Sequence, residues 1–129
     1  NDGMATALSF QRVERPGKRQ RVLDAEAAQA VRGMMTGVVL PGGTAQRAAI
    51  PGYAVAGKTG TAQVRKISES QREQDLKNKD LPWKFRDHSL FTGYGPADNP
   101  KYAISVIIEH GGSGSAVAAP IARNNEKDF

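Results

Sequence analysis

Apolar residues recur at three- and four-residue intervals between Ala27 and Val38: Ala27, Ala28, Val31, Met34, Met35 and Val38. That rhythm marks one face of an α-helix. Asp24 stands where a side chain can cap the first turn, and Glu26 sits at the positive end of the helix dipole. The spacing predicts a helix from about Ala25 to Thr36, stopped by Gly37, with the methionine pair in the core. Downstream the pattern changes to stretches that suit strands. Tyr53 to Val64 and Ser89 to Tyr94 are two of them; Tyr102 to Glu109 is the third, and its Ile104, Val106, Ile107 and Ile108 predict a buried strand. Pro41-Gly42-Gly43-Thr44, Pro51-Gly52 and Pro96-Ala97-Asp98-Asn99-Pro100 punctuate the chain as turns, with a short helical turn over Thr44 to Ala49. Gly111 to Gly114 reads as a flexible join into a closing helix, Ser115 to Arg123, with Pro120 near its middle. At the other end, Ala5 to Glu14 and Arg19 to Leu23 flank Pro16-Gly17-Lys18 as a hairpin. Consecutive strands pair with their neighbours, so residues 1–129 predict an α+β domain with an antiparallel sheet flanked by helices.

Composition narrows the chemistry. The 129 residues are 39% hydrophobic and 24% charged, a soluble balance. No run of apolar residues is long enough to span a bilayer, and no signal segment opens the chain. There is no cysteine, which removes disulfides, zinc–thiolate sites and thiol nucleophiles. His88 and His110 are too few for a histidine metal cluster, and each falls at a strand end, where a structural role is the plainer expectation. No metal or other cofactor is expected. The net charge of +5 is scattered along the chain, including a mixed-sign stretch over Arg65 to His88, so no nucleic-acid partner is expected. In that stretch Trp83 and Phe85 either pin the segment to the body or form a surface beside a cleft.

One segment carries chemistry: Gly52-Tyr53-Ala54-Val55-Ala56-Gly57-Lys58-Thr59-Gly60-Thr61-Ala62. It satisfies the spacing of a phosphate-binding loop, G-x-x-x-x-G-K-[ST]. Such a loop needs a helix opening at its lysine so that N–H groups face the phosphates. Thr59-Gly60-Thr61 starts a helix poorly, and Tyr53 to Ala56 suit a strand. On a strand, Thr59 and Thr61 share one face while Gly60 falls on the other. Two hydroxyls beside the Lys58 ammonium make a clamp for a substrate carboxylate. Gly60 lets a ligand or facing backbone come close, and the Thr61 N–H can donate to a developing oxyanion. A flat strand points Lys58 away from Thr59, so this reading requires Lys58 to reach another wall of the cleft.

Lys58-Thr59-Gly60-Thr61-Ala62 resembles the third signature of the penicillin-binding proteins and serine β-lactamases. Longer stretches narrow the resemblance to the class B penicillin-binding proteins and their elongation-type branch, penicillin-binding protein 2. They are Asp24 to Val38, Pro41-Gly42-Gly43-Thr44-Ala45, Ile50-Pro51-Gly52-Tyr53, Asp87-His88-Ser89-Leu90-Phe91, Gly95 to Tyr102 and Glu109 to Gly114. The resemblance covers about residues 20–123. It implies a transpeptidase fold and a peptidoglycan D,D-transpeptidase. In such an enzyme a serine activated by a lysine attacks the penultimate D-alanine carbonyl of a stem peptide, D-alanine leaves, and an amine from a neighbouring strand resolves the acyl-enzyme. Lys58 would then supply cleft charge and assist the proton relay, Thr59 and Thr61 would hold the terminal carboxylate, the Thr61 N–H would form half of an oxyanion hole, and Gly60 would keep the strand open. The implied partners are stem peptides, β-lactam antibiotics, the rest of the transpeptidase domain and membrane elongation-complex proteins. The implied location is the periplasmic face of the inner membrane.

The family also uses Ser-x-x-Lys and Ser-x-Asn, and neither occurs. Ser9 is followed at the third place by Arg12, Ser70 by Glu73 and Ser105 by Ile108, and no serine has asparagine two residues on. The nucleophile and its base are therefore expected upstream of Asn1, with this chain as the C-terminal part of a larger domain, inactive alone. A β-lactam sensor or an inactive scaffold on the same fold is the alternative from a binding class, and a nucleotide-binding module the remaining one.

Overall fold

The computed structural model describes residues 17–18, 20–66 and 80–126. Helix α1, Ala25–Val39, begins where Asp24 accepts the Glu26 N–H at 3.4 Å. It runs through Gly37, where the sequence predicts its stop. A glycine inside a helix costs about 1 kcal/mol, and burying a valine side chain returns about 1.5–3 kcal/mol. Two further residues carry Val39, only 4% exposed, into the core. The next turn then closes on the helix end, with the Ala45 N–H on the Val38 carbonyl at 3.0 Å. The expected apolar face is only partly buried: Val38 and Met35 are half-buried, whereas Ala27, Val31 and Met34 are exposed, Met34 by 64%. The methionine pair is therefore not a core pair.

A one-turn 3-10 helix, Gln46–Ala48, leads to strand β1, Ala56–Ala62. Strand β2 is His88–Gly95 and β3 is Tyr102–Ile108. They form an antiparallel sheet in the order β1-β2-β3, as neighbours in sequence should. A π-helical turn, Gly114–Ala118, runs directly into helix α2, Ala119–Glu126. The widened turn ends just before Pro120, which has no N–H to give to a regular turn. The hairpin expected of the first 23 residues lies mostly outside the described residues, and the described Gln20 to Leu23 form no ladder.

Register decides which face each residue occupies. Thr59 pairs with Phe91 and Phe91 with Val106; Thr61 pairs with Ser89 and Ser89 with Ile108. These positions share the face covered by α2 and the short helices. The core there joins Val39, Ala45, Ala48, Val55, Phe91, Ala118, Ala119 and Ala122, with Ile104 and Val106 packed against it. The Phe91 ring lies over Gly57 and Gly93, where an added Cβ would stand 2.4 Å and 2.8 Å from ring carbons. Lys58, Leu90, Thr92, Ser105 and Ile107 lie on the opposite face. Tyr102–Ile108 is consequently not the buried strand its apolar run predicts. Among the described residues it ends the sheet and is covered on one side, so Ile107, on the opposite face, is 66% exposed; Tyr102, on the covered face but at the strand's first position, is 46% exposed.

Ser89 joins the sheet to the π turn. It is fully buried, its Oγ donates to the Ser113 carbonyl at 2.9 Å, and it accepts the Ala118 N–H at 3.1 Å. Ser89→Ala leaves the buried Ala118 N–H without its partner and leaves the Ser113 carbonyl only the Val117 N–H, at 3.0 Å. The expected loss is about 1–3 kcal/mol of unfolding free energy, read by urea denaturation of the complete protein; an unchanged midpoint would show that water replaces the hydroxyl.

Candidate active site

Lys58, Thr59, Gly60 and Thr61 lie in β1, the end strand of the three-stranded sheet. Lys58 and Thr61 are exposed, and Thr59 and Gly60 are half-buried. The strand continues to Ala62, so no helix opens at Lys58 and the phosphate-loop alternative is excluded by geometry. Lys58 leaves the strand on the face opposite Thr59, as alternation requires, yet its Nζ curls round the edge and donates to the Thr59 carbonyl at 2.8 Å. The ammonium and the Thr59 backbone thus meet at the open side of the strand.

That bond also orients the backbone. A Thr59 carbonyl accepting from Lys58 points away from β2. In an antiparallel pair the outward-pointing residues alternate, so the Thr61 N–H and carbonyl also face the open edge, while Lys58, Gly60 and Ala62 pair with Thr92, Leu90 and His88. The edge therefore offers an ammonium, two hydroxyls and an outward N–H along one short run. That set suits an anion and a developing oxyanion.

Two residues that the sequence reasoning missed complete the site. The Thr59 hydroxyl donates to the Thr44 hydroxyl at 3.4 Å. Thr44 is held there by Gly43, where an added Cβ would stand 2.1 Å from the Val38 carbonyl oxygen, so only glycine fits. The other is Gly114. Its missing Cβ would lie 2.4 Å from the Gly60 carbonyl oxygen and 2.5 Å from that of Leu90. The close backbone approach expected of Gly60 is thus made by the first residue of the π turn, from the Thr59/Thr61 face, and Gly114 is the glycine that permits it. The sole sequence signal was the density of glycine in 111–114, which reads as flexibility. In the fold Gly114 is buried.

The histidines hold the approach to that turn. The His110 N–H donates to His88 Nδ1 at 2.9 Å, and His110 Nδ1 lies 2.8 Å from the Arg86 carbonyl. His110 has a left-handed φ of 52°, and the Gly112 N–H donates to the Asp87 carbonyl at 2.9 Å. Trp83 stacks at a tilt on His110, with ring centroids 4.4 Å apart, although it is 61% exposed. These contacts match the structural role expected of both histidines and give Trp83 the part of a pin. Among the described residues no three His, Asp or Glu side chains gather as a metal site.

The chain as a whole is similar to known proteins. The family model described as the penicillin binding protein transpeptidase domain matches residues 1–125. A peptidoglycan D,D-transpeptidase MrdA of Haemophilus influenzae is 44% identical over 99 residues, 76% of this chain. The chain spans 14% of that relative's length. Among solved structures, PBP2 of Helicobacter pylori in complex with MreC is similar with a TM-score of 0.62 and 31% identity, over 81% of this chain and 18% of that one. Penicillin-binding protein A of Mycobacterium tuberculosis, as a ceftriaxone acyl-enzyme complex, is similar with a TM-score of 0.60 and 28% identity, over 84% of this chain and 22% of that one.

Proposed function

Because the chain belongs to the penicillin-binding protein transpeptidase domain family, we propose that it is the C-terminal part of a peptidoglycan D,D-transpeptidase, supplying the Lys-Thr-Gly strand and not the nucleophile. The observation that carries this reading is the edge of β1. There the Lys58 ammonium, the Thr59 hydroxyl and the outward backbone of Thr61 lie on four consecutive residues of one strand, with the ammonium on the Thr59 carbonyl. In the proposed reaction a serine on chain outside these 129 residues attacks the penultimate D-alanine carbonyl of a stem peptide. The carbonyl π electrons move to oxygen, which the Thr61 N–H stabilises. Losing one such donor typically costs about 3 kcal/mol of transition-state stabilisation. The Thr59 hydroxyl, turned from Thr44 to the anion, and the Thr61 hydroxyl hold the terminal carboxylate, and the Lys58 charge lowers the cost of bringing that anion beside the proton relay. The C–N bond breaks, D-alanine leaves with its amine taking up the proton the serine gave to the relay, and an acyl-enzyme remains. The amine of a neighbouring strand then attacks the ester carbonyl, loses a proton, and expels the serine, which is reprotonated as the cross-link closes.

The same site takes β-lactams in this proposal, and the Mycobacterium tuberculosis neighbour, crystallised as a ceftriaxone acyl-enzyme, supports it. The Helicobacter pylori neighbour, complexed with MreC, supports a protein partner of that kind for the complete molecule. We place the complete protein at the periplasmic face of the inner membrane, anchored by a segment outside this chain. Among the described residues no helix is long and apolar enough to cross a membrane.

Fluorescent penicillin tests the proposal. The complete protein is expected to acquire a covalent label and the isolated 129 residues none. A label on the isolated chain would put the nucleophile inside it, and no label on the complete protein would remove the enzyme reading. Release of D-alanine from a peptide ending in D-alanyl-D-alanine separates a transpeptidase from a β-lactam sensor, which is acylated without turning over.

A further inference from the structure

We propose that the depression beside Thr59 is a second anion subsite, built by Thr44, Arg47 and Ser115, which takes a carboxylate of the peptide substrate. This rests on the transpeptidase reading above and adds to it groups outside the Lys-Thr-Gly strand.

The depression has a volume of about 530 Å³ and is lined by Gly43, Thr44, Gln46, Arg47, Ser115 and Ala116. That volume lies within the usual range for small-molecule sites. It adjoins the candidate clamp, because Thr44 accepts a hydrogen bond from the Thr59 hydroxyl. With its lone pair engaged there, the Thr44 hydroxyl keeps its own hydrogen to donate. Arg47 is exposed on the 3-10 helix, and no described residue pairs with its guanidinium. Across the depression, the Ser115 hydroxyl pairs with that of Ser113 at 2.9 Å. The lining offers a cation and hydroxyl donors and contains no carboxylate. A carboxylate is an acceptor-only group, and the planar guanidinium fork matches it with two parallel bonds.

Both walls back onto the core. Ala45 and Ala48 are fully buried on either side of Gln46 and Arg47, and Ala118 and Ala119 are fully buried behind Ser115 and Ala116. The outward-facing polar residues are therefore held by packed core, so the site needs little reorganisation to bind. The C-terminal carboxylate belongs to Thr59 and Thr61 in the proposed function, so the carboxylate taken here is one from a side chain of the peptide.

The complete protein is assayed as wild type, Arg47→Ala, Arg47→Lys and Thr44→Val. Two synthetic peptides end in D-alanyl-D-alanine and differ by glutamate against glutamine one residue earlier. D-alanine release gives kcat and KM, and thermal unfolding reports the fold. Arg47→Ala is expected to lower kcat/KM by about tenfold to a hundredfold, the scale of one charge-assisted pair, through KM. Arg47→Lys should restore part of the loss, and Thr44→Val should reduce kcat/KM in the same direction. A loss on the glutamate peptide that the glutamine peptide does not share carries the subsite; an equal loss on both peptides places Arg47 at the terminal carboxylate already assigned to Thr59 and Thr61 and overturns a second subsite. Unchanged kcat/KM on both peptides, or a loss carried by kcat with KM intact, overturns the subsite while wild-type turnover leaves the transpeptidase reading standing. If the wild-type protein neither labels with penicillin nor releases D-alanine, both readings fall together.

Discussion

Replacing Lys58 by alanine in the complete protein is expected to slow acylation by fluorescent penicillin by a factor of about a hundred to ten thousand, the span of a positioned proton-transfer group. The argument starts from the fold of the side chain. Lys58 leaves β1 on the outer face and returns round the edge to the Thr59 carbonyl at 2.8 Å. Its charge therefore sits midway along the strand's open edge, to which the outward Thr61 N–H is also aimed. Removing it leaves a substrate anion there without a counter-charge. Lys58→Arg keeps the charge and loses the compact ammonium, so its rate should fall between the two. Lys58 is exposed, so the substitution should shift unfolding free energy by no more than about 0.5 kcal/mol. A slow rate at unchanged stability then reports chemistry. An acylation rate equal to wild type would exclude Lys58 from the site.

Gly114→Ala is expected to damage fold and function together. The new carbon would stand 2.4 Å from the Gly60 carbonyl oxygen, 2.5 Å from that of Leu90 and 3.1 Å from the Gly60 nitrogen. All three are backbone atoms in the middle of the β1–β2 ladder, so none can rotate away. The π turn must lift, and with it goes the bond from the Ala118 N–H to Ser89. Overpacking a core costs about 1–3 kcal/mol when side chains can yield; here the strain falls on sheet backbone, and the loss should reach the upper end of that range. Urea denaturation of the complete protein measures it. Penicillin labelling should fall in parallel, because lifting the turn releases the strand that carries Lys58 to Thr61. A variant that unfolds and labels like wild type would show that the turn is not seated on Gly60.

Much of the architecture was legible in local pattern. The apolar spacing and Asp24 located α1, and the turn residues at Pro96 to Pro100 separated two strands that do pair. What was lost followed from neighbours. Gly37 looks like a stop until Val39 has a core to enter. Ile107 looks buried until β3 proves to end the sheet. Met34 fits an apolar face that the described core reaches only at its C-terminal end. The same division holds for the site. Lys58, Thr59, Gly60 and Thr61 were named from residue type and alternation, because a run of one strand is local information. Thr44 and Gly114 were not, since each reaches β1 only through a turn whose course depends on packing.

By itself, then, the sequence determined that these residues make an α+β domain with a Lys-Thr-Gly strand, lacking both the cysteine and the serine spacings that would supply a nucleophile. Periodicity, turn chemistry and motif spacing act over a few neighbouring residues, and they suffice for that. Only the tertiary structure decided that the Lys58 ammonium curls back to Thr59, that Gly114 rather than Gly60 makes the close approach, and that Arg47 opens beside Thr44. Those are distances between segments far apart in the chain, set by which backbone can approach which without a clash.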